Sequence, residues 1–185
     1  MKDMATRRMG IVVMIFIPLL FSCGSNRPVP TKQAEAYFGL GTQYLQQGDN
    51  DQAISNYNKA LDVSPGYAEA YLNRGIALRR KGQLDQAISD YSAVLLIDSK
   101  EARAYCNRGN AYIEKGQYDK AISDYNKALE IDSKDSQVFF NRGIAYYSKQ
   151  EYNKSWADIK KAQDLGYRIP PDFLSDLRKA SGRQN

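Results

Sequence analysis

Residues Ala102–Asp135, ARAYCNRGNAYIEKGQYDKAISDYNKALEIDSKD, decide the architecture of this chain. The pattern returns 34 residues earlier, where Ala68–Glu101 reads AEAYLNRGIALRRKGQLDQAISDYSAVLLIDSKE. It returns again at Ala34–Tyr67, AEAYFGLGTQYLQQGDNDQAISNYNKALDVSPGY, and once more at Ser136–Ile169, SQVFFNRGIAYYSKQEYNKSWADIKKAQDLGYRI. No gap interrupts the four copies. A period of this length predicts a stacked array of small units rather than a core built from distant segments. Within the quoted stretch, two helical patterns run from about Ala102 to Lys115 and from Tyr118 to Ile131. Gly116 separates them, where a left-handed residue can end a helix. Gly48 and Gly82 hold the same slot, and Gln150 breaks the rule. Lys81, Lys115 and Lys149 close the first helices, favourably for the helix dipole, and Asp51, Asp85, Asp119 and Asn153 open the second as caps or first-turn residues.

Counting each unit from 1 at Ala34, Ala68, Ala102 and Ser136, position 4 holds Tyr37, Tyr71, Tyr105 and Phe139. Position 8 is Gly41, Gly75, Gly109 and Gly143; position 11 is Tyr44, Leu78, Tyr112 and Tyr146. Position 20 is Ala53, Ala87, Ala121 and Ser155; position 24 is Tyr57, Tyr91, Tyr125 and Ile159; position 27 is Ala60, Val94, Ala128 and Ala162. Small residues at 8 and 20 let two helices approach, and the aromatics fill the space between them. Most of the 14 tyrosines fall in these slots, which makes them packing residues rather than base-stacking ones. The arrangement resembles the tetratricopeptide repeat (TPR) family, whose signature places an aromatic, Leu-Gly and Tyr on one helix and Ala, an aromatic and Ala on the next. The resemblance implies an all-α fold: a right-handed α-solenoid of four helix hairpins, 34–67, 68–101, 102–135 and 136–169. After Pro170-Pro171, residues 170–185 read as a capping helix and tail, with Phe173, Leu174, Leu177 and Ala180 on the face that covers the last unit.

Position 7 departs from the family's Leu, which survives only as Leu40. The other units carry Arg74, Arg108 and Arg142, and position 23 carries Asp90, Asp124 and Asp158 in the same units but Asn56 in the first. The joint appearance predicts structural ion pairs within each unit, Arg74–Asp90, Arg108–Asp124 and Arg142–Asp158. The competing register joins neighbouring units, as in Arg108–Asp90 and Arg142–Asp124.

The chemistry this chain can perform is narrow. It contains no histidine, and its two cysteines are Cys23 and Cys106. That excludes a disulfide scaffold, Cys/His zinc sites and every histidine-based triad. Its carboxylates form no recognisable acid–base pair, and no phosphate-cradling glycine loop is present. The expectation is therefore no enzyme, no catalytic residue, no metal and no cofactor. Removing residues 1–22 takes away Lys2, Arg7, Arg8 and Asp3 and lowers the formal charge from +5 to +3. That charge is too mild and too interspersed to predict nucleic-acid binding.

At the N-terminus, a basic segment leads into the apolar run Met9–Phe21, then Ser22 and Cys23. The run is too short to span a bilayer as a helix and reads as a signal peptide over 1–22. Leu20-Phe21-Ser22-Cys23 resembles the lipobox of bacterial lipoproteins, with Phe21 in place of the usual smaller residue. The resemblance implies an acylated Cys23 inserted in the lipid bilayer and a flexible tether over 23–33. In a Gram-negative source, the same resemblance and Gly24, rather than Asp, imply outer-membrane residence facing the periplasm. The alternative is an ordinary signal peptide or uncleaved anchor whose cysteine is incidental.

TPR proteins are chiefly binding scaffolds, and their first helices line a groove that takes a protein or peptide segment. By resemblance, the groove comprises Leu72, Asn73, Ile76, Arg79, Arg80, Arg103, Cys106, Asn107, Asn110, Ile113, Phe140, Asn141, Ile144 and Tyr147. Asn73, Asn107 and Asn141 form an amide ladder that can pair with an extended backbone, or else belong to the folding pattern. The apolar members supply pockets and the arginines suit acidic side chains. The carboxylate clamp of chaperone-binding members is present only in fragments: Arg80, Arg103, Asn107 and Asn110. The chain is thus expected to be a membrane-anchored adaptor of the cell envelope. A structural subunit, or a homo-oligomer using the same surfaces, is the alternative.

Overall fold

The computed structural model describes residues 29–183. Among these, the elements in order are α1 (Lys32–Gln47), α2 (Asn50–Val63), α3 (Ala68–Arg80), α4 (Leu84–Ile97), α5 (Ala102–Glu114), α6 (Tyr118–Ile131), α7 (Ser136–Ser148), α8 (Tyr152–Asp164) and α9 (Pro171–Ser181). The signal segment 1–22 and Cys23 lie outside the described residues. No described helix is long and apolar enough to cross a membrane. The tether ends earlier than its sequence suggested. The Thr31 hydroxyl accepts the N–H of Ala34 at 3.2 Å, so α1 begins at Lys32 and takes in Lys32 and Gln33.

Each unit is a helix hairpin, and each second helix packs on the first helix of the next unit. The position-8 glycines explain the closeness of each hairpin. A Cβ at Gly41, Gly75 or Gly109 would stand 2.7, 2.6 or 2.7 Å from the ring of Tyr57, Tyr91 or Tyr125, inside van der Waals contact. Those three tyrosines are wholly buried, as are Ala53, Ala87 and Ala121 beside them. In the fourth unit Ile159 replaces the tyrosine, and Ser155, at the alanine slot, donates its hydroxyl to the Gly143 carbonyl at 2.8 Å. The hydroxyl that would be stranded there is thereby satisfied.

Gly48, Gly82 and Gly116 take φ of 82°, 74° and 70°, and Gln150 follows them at 63°. The hydrogen bonds explain why. In every hairpin the residue after this position returns its N–H to the first helix: Asp49 to Tyr44, Gln83 to Leu78, Gln117 to Tyr112 and Glu151 to Tyr146, at 2.8–3.0 Å. A fixed loop length and a fixed pair of docked helices leave Gln150 only the left-handed conformation, in spite of its Cβ.

The first-turn acids Asp51, Asp85 and Asp119 do not cap their helices. They bind Lys81, Lys115 and Lys149 of the following unit, the last at 2.5 Å. The lysines thus tie units together as well as closing helices. Arg183 adds a rung by donating to Asn153 at 2.9 Å.

Helix α9 covers α8. Leu177 is wholly buried with Ile159 and Ala162, and Phe173 and Leu174 pack on the same cluster. Ala180 is exposed, contrary to the face read from sequence. Ser181 takes the contact instead, accepting the Trp156 indole N–H at 3.0 Å, because the helix is turned to bring that hydroxyl over α8.

Candidate functional site

The first helices approach one another directly, α1 to α3, α3 to α5 and α5 to α7, which puts them on the inside of the curve. Their positions 2, 6, 9 and 12–13 therefore share one surface. A concavity of about 210 Å³ opens there between units two and four, lined by Arg79, Asn110, Ile113, Glu114, Tyr125, Gln137, Asn141 and Ile144.

The position-7 arginines lie away from this surface and build the frame. Arg74 donates Nε and Nη2 to Asp90 at 2.8 and 2.7 Å. Arg108 makes the same fork to Asp124 at 2.8 Å for both bonds, and Arg142 to Asp158 at 2.7 Å for both. The remaining Nη1 reaches the preceding unit, at Asn58, Ser92 and Asn126. The ion pair is thus within the unit, while a neutral acceptor joins the units. The register Arg108–Asp90, Arg142–Asp124 does not form. The guanidiniums of Arg74, Arg108 and Arg142 also lie over the rings of Tyr71, Tyr105 and Phe139. Hydrogen bonding to the carboxylates holds Arg74 and Arg108 above the ordinary arginine range.

The groove residues divide into three groups. Leu72 is 3% exposed and Phe140 is 8% exposed, so both are core, not pocket wall. Phe140 is stacked by Tyr167 at 4.8 Å and met edge-on by Phe173 at 5.6 Å. Tyr147 also lies against Phe173, at 5.4 Å. The α9 segment therefore covers the fourth unit's aromatic groove positions, which corrects their assignment as open pockets. Ile76, Ile113 and Ile144 are half-buried and pack on the core with one edge.

The arginines are less available than the sequence suggests. Arg79 is salt-bridged to Glu114 of the next unit, and Arg103 is forked to Glu101 at 2.9 and 3.1 Å. Arg80 donates to the Leu45 carbonyl at 3.0 Å, closing the end of α1. The expected free positive charge for acidic ligands is thus partly neutralised within the chain. The pairing of Arg79 with Glu114 was visible only as opposite charges 35 residues apart, one more than the repeat.

The amides are unequal. Asn141 donates to Asn110 Oδ1 at 3.0 Å, and the Tyr125 hydroxyl donates to the same oxygen at 2.7 Å. Asn73 reaches the Tyr57 hydroxyl. Asn107 instead donates to the Arg103 carbonyl of its own helix at 2.9 Å, leaving its other polar capacity facing the groove. The three are therefore not a uniform ladder. Cys106 lies half-buried behind Asn110 and Asn141, and burial pushes its thiol up to about 11. At neutral pH it is a thiol packed against the core, not a nucleophile. No cluster of potential metal ligands occurs among the described residues.

The geometry has clear counterparts. The family model described as "Tetratricopeptide repeat" matches residues 38–105, and the one described as "TPR repeat" matches 109–150. A comparison with curated proteins finds no match. Among solved structures, a crystal structure of MamA superposes with a TM-score of 0.69 at 27% identity, over 71% of this chain and 77% of that one. PilF of Pseudomonas aeruginosa gives 0.71 at 26% identity, over 81% and 69%. The first TPR of Spaghetti (RPAP3), bound to an HSP90 peptide, gives 0.64 at 25% identity, over 65% and 96%. Four gapless units, their Gly–aromatic hairpins and these matches together establish that the chain belongs to the tetratricopeptide repeat family, a solenoid fold of protein-interaction scaffolds.

Proposed function

We propose that this protein is a lipid-anchored adaptor that holds an extended segment of a partner protein in the groove of its first helices. The observation that carries the reading is the concavity spanning α3, α5 and α7. It combines half-buried isoleucines with amide groups that can meet a peptide backbone, the mixture that protein-binding pockets use. A neighbour of the same fold, Spaghetti, has been solved with a peptide bound, which supports the same use here. The sequence around Cys23 supplies the anchor: acylation there, with more than one chain, would keep the domain at the periplasmic face of the outer membrane.

The groove is tested by placing a photo-crosslinking amino acid at Asn107 and, separately, at the exposed convex position Ser123. Specific protein adducts from the 107 variant, absent from the 123 variant, are expected. Equal adducts from both positions would remove the groove reading. For the anchor, radiolabelled palmitate should mark the wild type and not Cys23→Ala.

A further inference from the structure

The repeat sets a rule for the buried tyrosine of each hairpin. The Tyr57 hydroxyl donates to Thr42 at 3.3 Å, and the Tyr125 hydroxyl to Asn110 at 2.7 Å, both partners being at position 9. In the second unit position 9 is Ile76, and the Tyr91 hydroxyl has no hydrogen-bond partner although the residue is wholly buried. Beside it stands Arg79, whose Nε is likewise unpartnered. Arginine has only donors, so it cannot accept the Tyr91 hydroxyl proton. Arg79 lies within reach to donate to the Tyr91 oxygen, but the hydroxyl proton and the Arg79 Nε–H both lack an acceptor, whereas the Tyr57 and Tyr125 hydroxyls have one. Unmet buried donors of this kind call for an explanation. The side of Arg79 that faces the groove is engaged by Glu114, whose side chain is 41% exposed.

We propose that the Arg79–Tyr91 corner is a subsite for a carboxylate-bearing side chain of the bound protein segment, and that Glu114 occupies the arginine when the groove is empty. The proposal rests on the groove reading above and names the chemistry of its ligand. A carboxylate offers several acceptor lone pairs at once and matches the fork of a guanidinium. Glu114, which meets Arg79 only through Nη1, shows that a carboxylate can lie against this guanidinium. A ligand carboxylate that reaches Nε and the tyrosine hydroxyl makes bonds that Glu114 leaves unmade, and so displaces it.

The test is an array of short extended peptides, each acidic member paired with its Asp→Asn or Glu→Gln counterpart, probed with the full chain in detergent. The peptides retained should weaken at least about tenfold when their carboxylate becomes an amide. Glu114→Gln, at an exposed position that leaves the fold intact, should tighten the acidic peptides. Arg79→Gln should erase the preference for the acidic member of each pair. Tyr91→Phe should raise the melting temperature, because it deletes an unsatisfied buried hydroxyl, and yet weaken the acidic peptides. A purely structural tyrosine would not give that opposition. Retained peptides that bind equally as acid and amide, or a preference that survives Arg79→Gln, would overturn the subsite while leaving the groove in place. An array that retains nothing would remove the groove reading and the subsite with it.

Discussion

The first unit shares with the second and third the Gly–Tyr contact that closes the hairpin, and differs from all three later units along one face. Gly41 meets Tyr57 as closely as Gly109 meets Tyr125. Yet Ala36 is exposed where Ala70, Ala104 and Val138 are buried, and Gln43 is exposed where Ala77, Ala111 and Ala145 are wholly buried. Leu40 and Gln47 stand where the later units have the Arg and Lys that reach back to their predecessor. These positions, 3, 7, 10 and 14, are spaced at three and four and so form one helix stripe. In later units it packs on a preceding second helix, and among the described residues nothing precedes α1. An arginine at position 7 of the first unit would lack the acceptor that a preceding unit supplies to Nη1, and without that arginine an aspartate at 23 would be buried unpaired. Leu40 and Asn56, whose amide donates to the Gln52 carbonyl at 2.8 Å, avoid both costs. The comparison separates two codes: Gly and Tyr build the unit, while the stripe stacks it.

Breaking the stacking code in an internal unit should have the largest effect. Asp124→Ala strands the half-buried Arg108 and should cost about 3 kcal/mol, read from urea unfolding. Copying the first unit with the pair Arg108→Leu and Asp124→Asn should recover most of that loss. If the double variant is no better than the single one, the two codes are not separable. The building code should not distinguish the first unit from the third. Gly41→Ala and Gly109→Ala each drive a methyl into a tyrosine ring and should each cost about 2 kcal/mol. Gly143→Ala should cost less, since its Cβ would stand 3.0 Å from the mobile tip of Ile159. A smaller change is expected at the irregular turn. Gln150→Gly relieves a left-handed non-glycine residue and should stabilise by about 0.5–1 kcal/mol after the entropy of glycine is counted. The smallest belongs to the exposed rungs: Lys115→Ala should cost less than about 1 kcal/mol, and the difference should vanish in high salt.

The array and its hairpins were legible from residue identities alone. A gapless period, small residues opposite aromatics, and Arg appearing only with Asp are local statements about which side chains must meet. The charge pattern could not settle which unit each arginine chooses, because both registers satisfy it. In the structure each Asp takes two guanidinium bonds from its own unit's arginine and a neutral acceptor of the preceding unit takes the third. The groove was legible as a set of positions and misjudged in its contents. Sequence cannot tell that α9 turns Phe173 onto Phe140 and Tyr147, nor that Glu114 reaches Arg79 across units.

What the sequence determined by itself is therefore the repeat: its length, its helices, its turns and the residues that lock each hairpin, since all of these depend on contacts within one period of chain. What only the tertiary structure decided is which polar atoms are left over. The superhelical offset between units brings position 12 of one against position 13 of the next, so that Glu114 takes Arg79. Availability for binding is set by that offset and by the end cap, because a donor is free only when no neighbour in three dimensions has taken it.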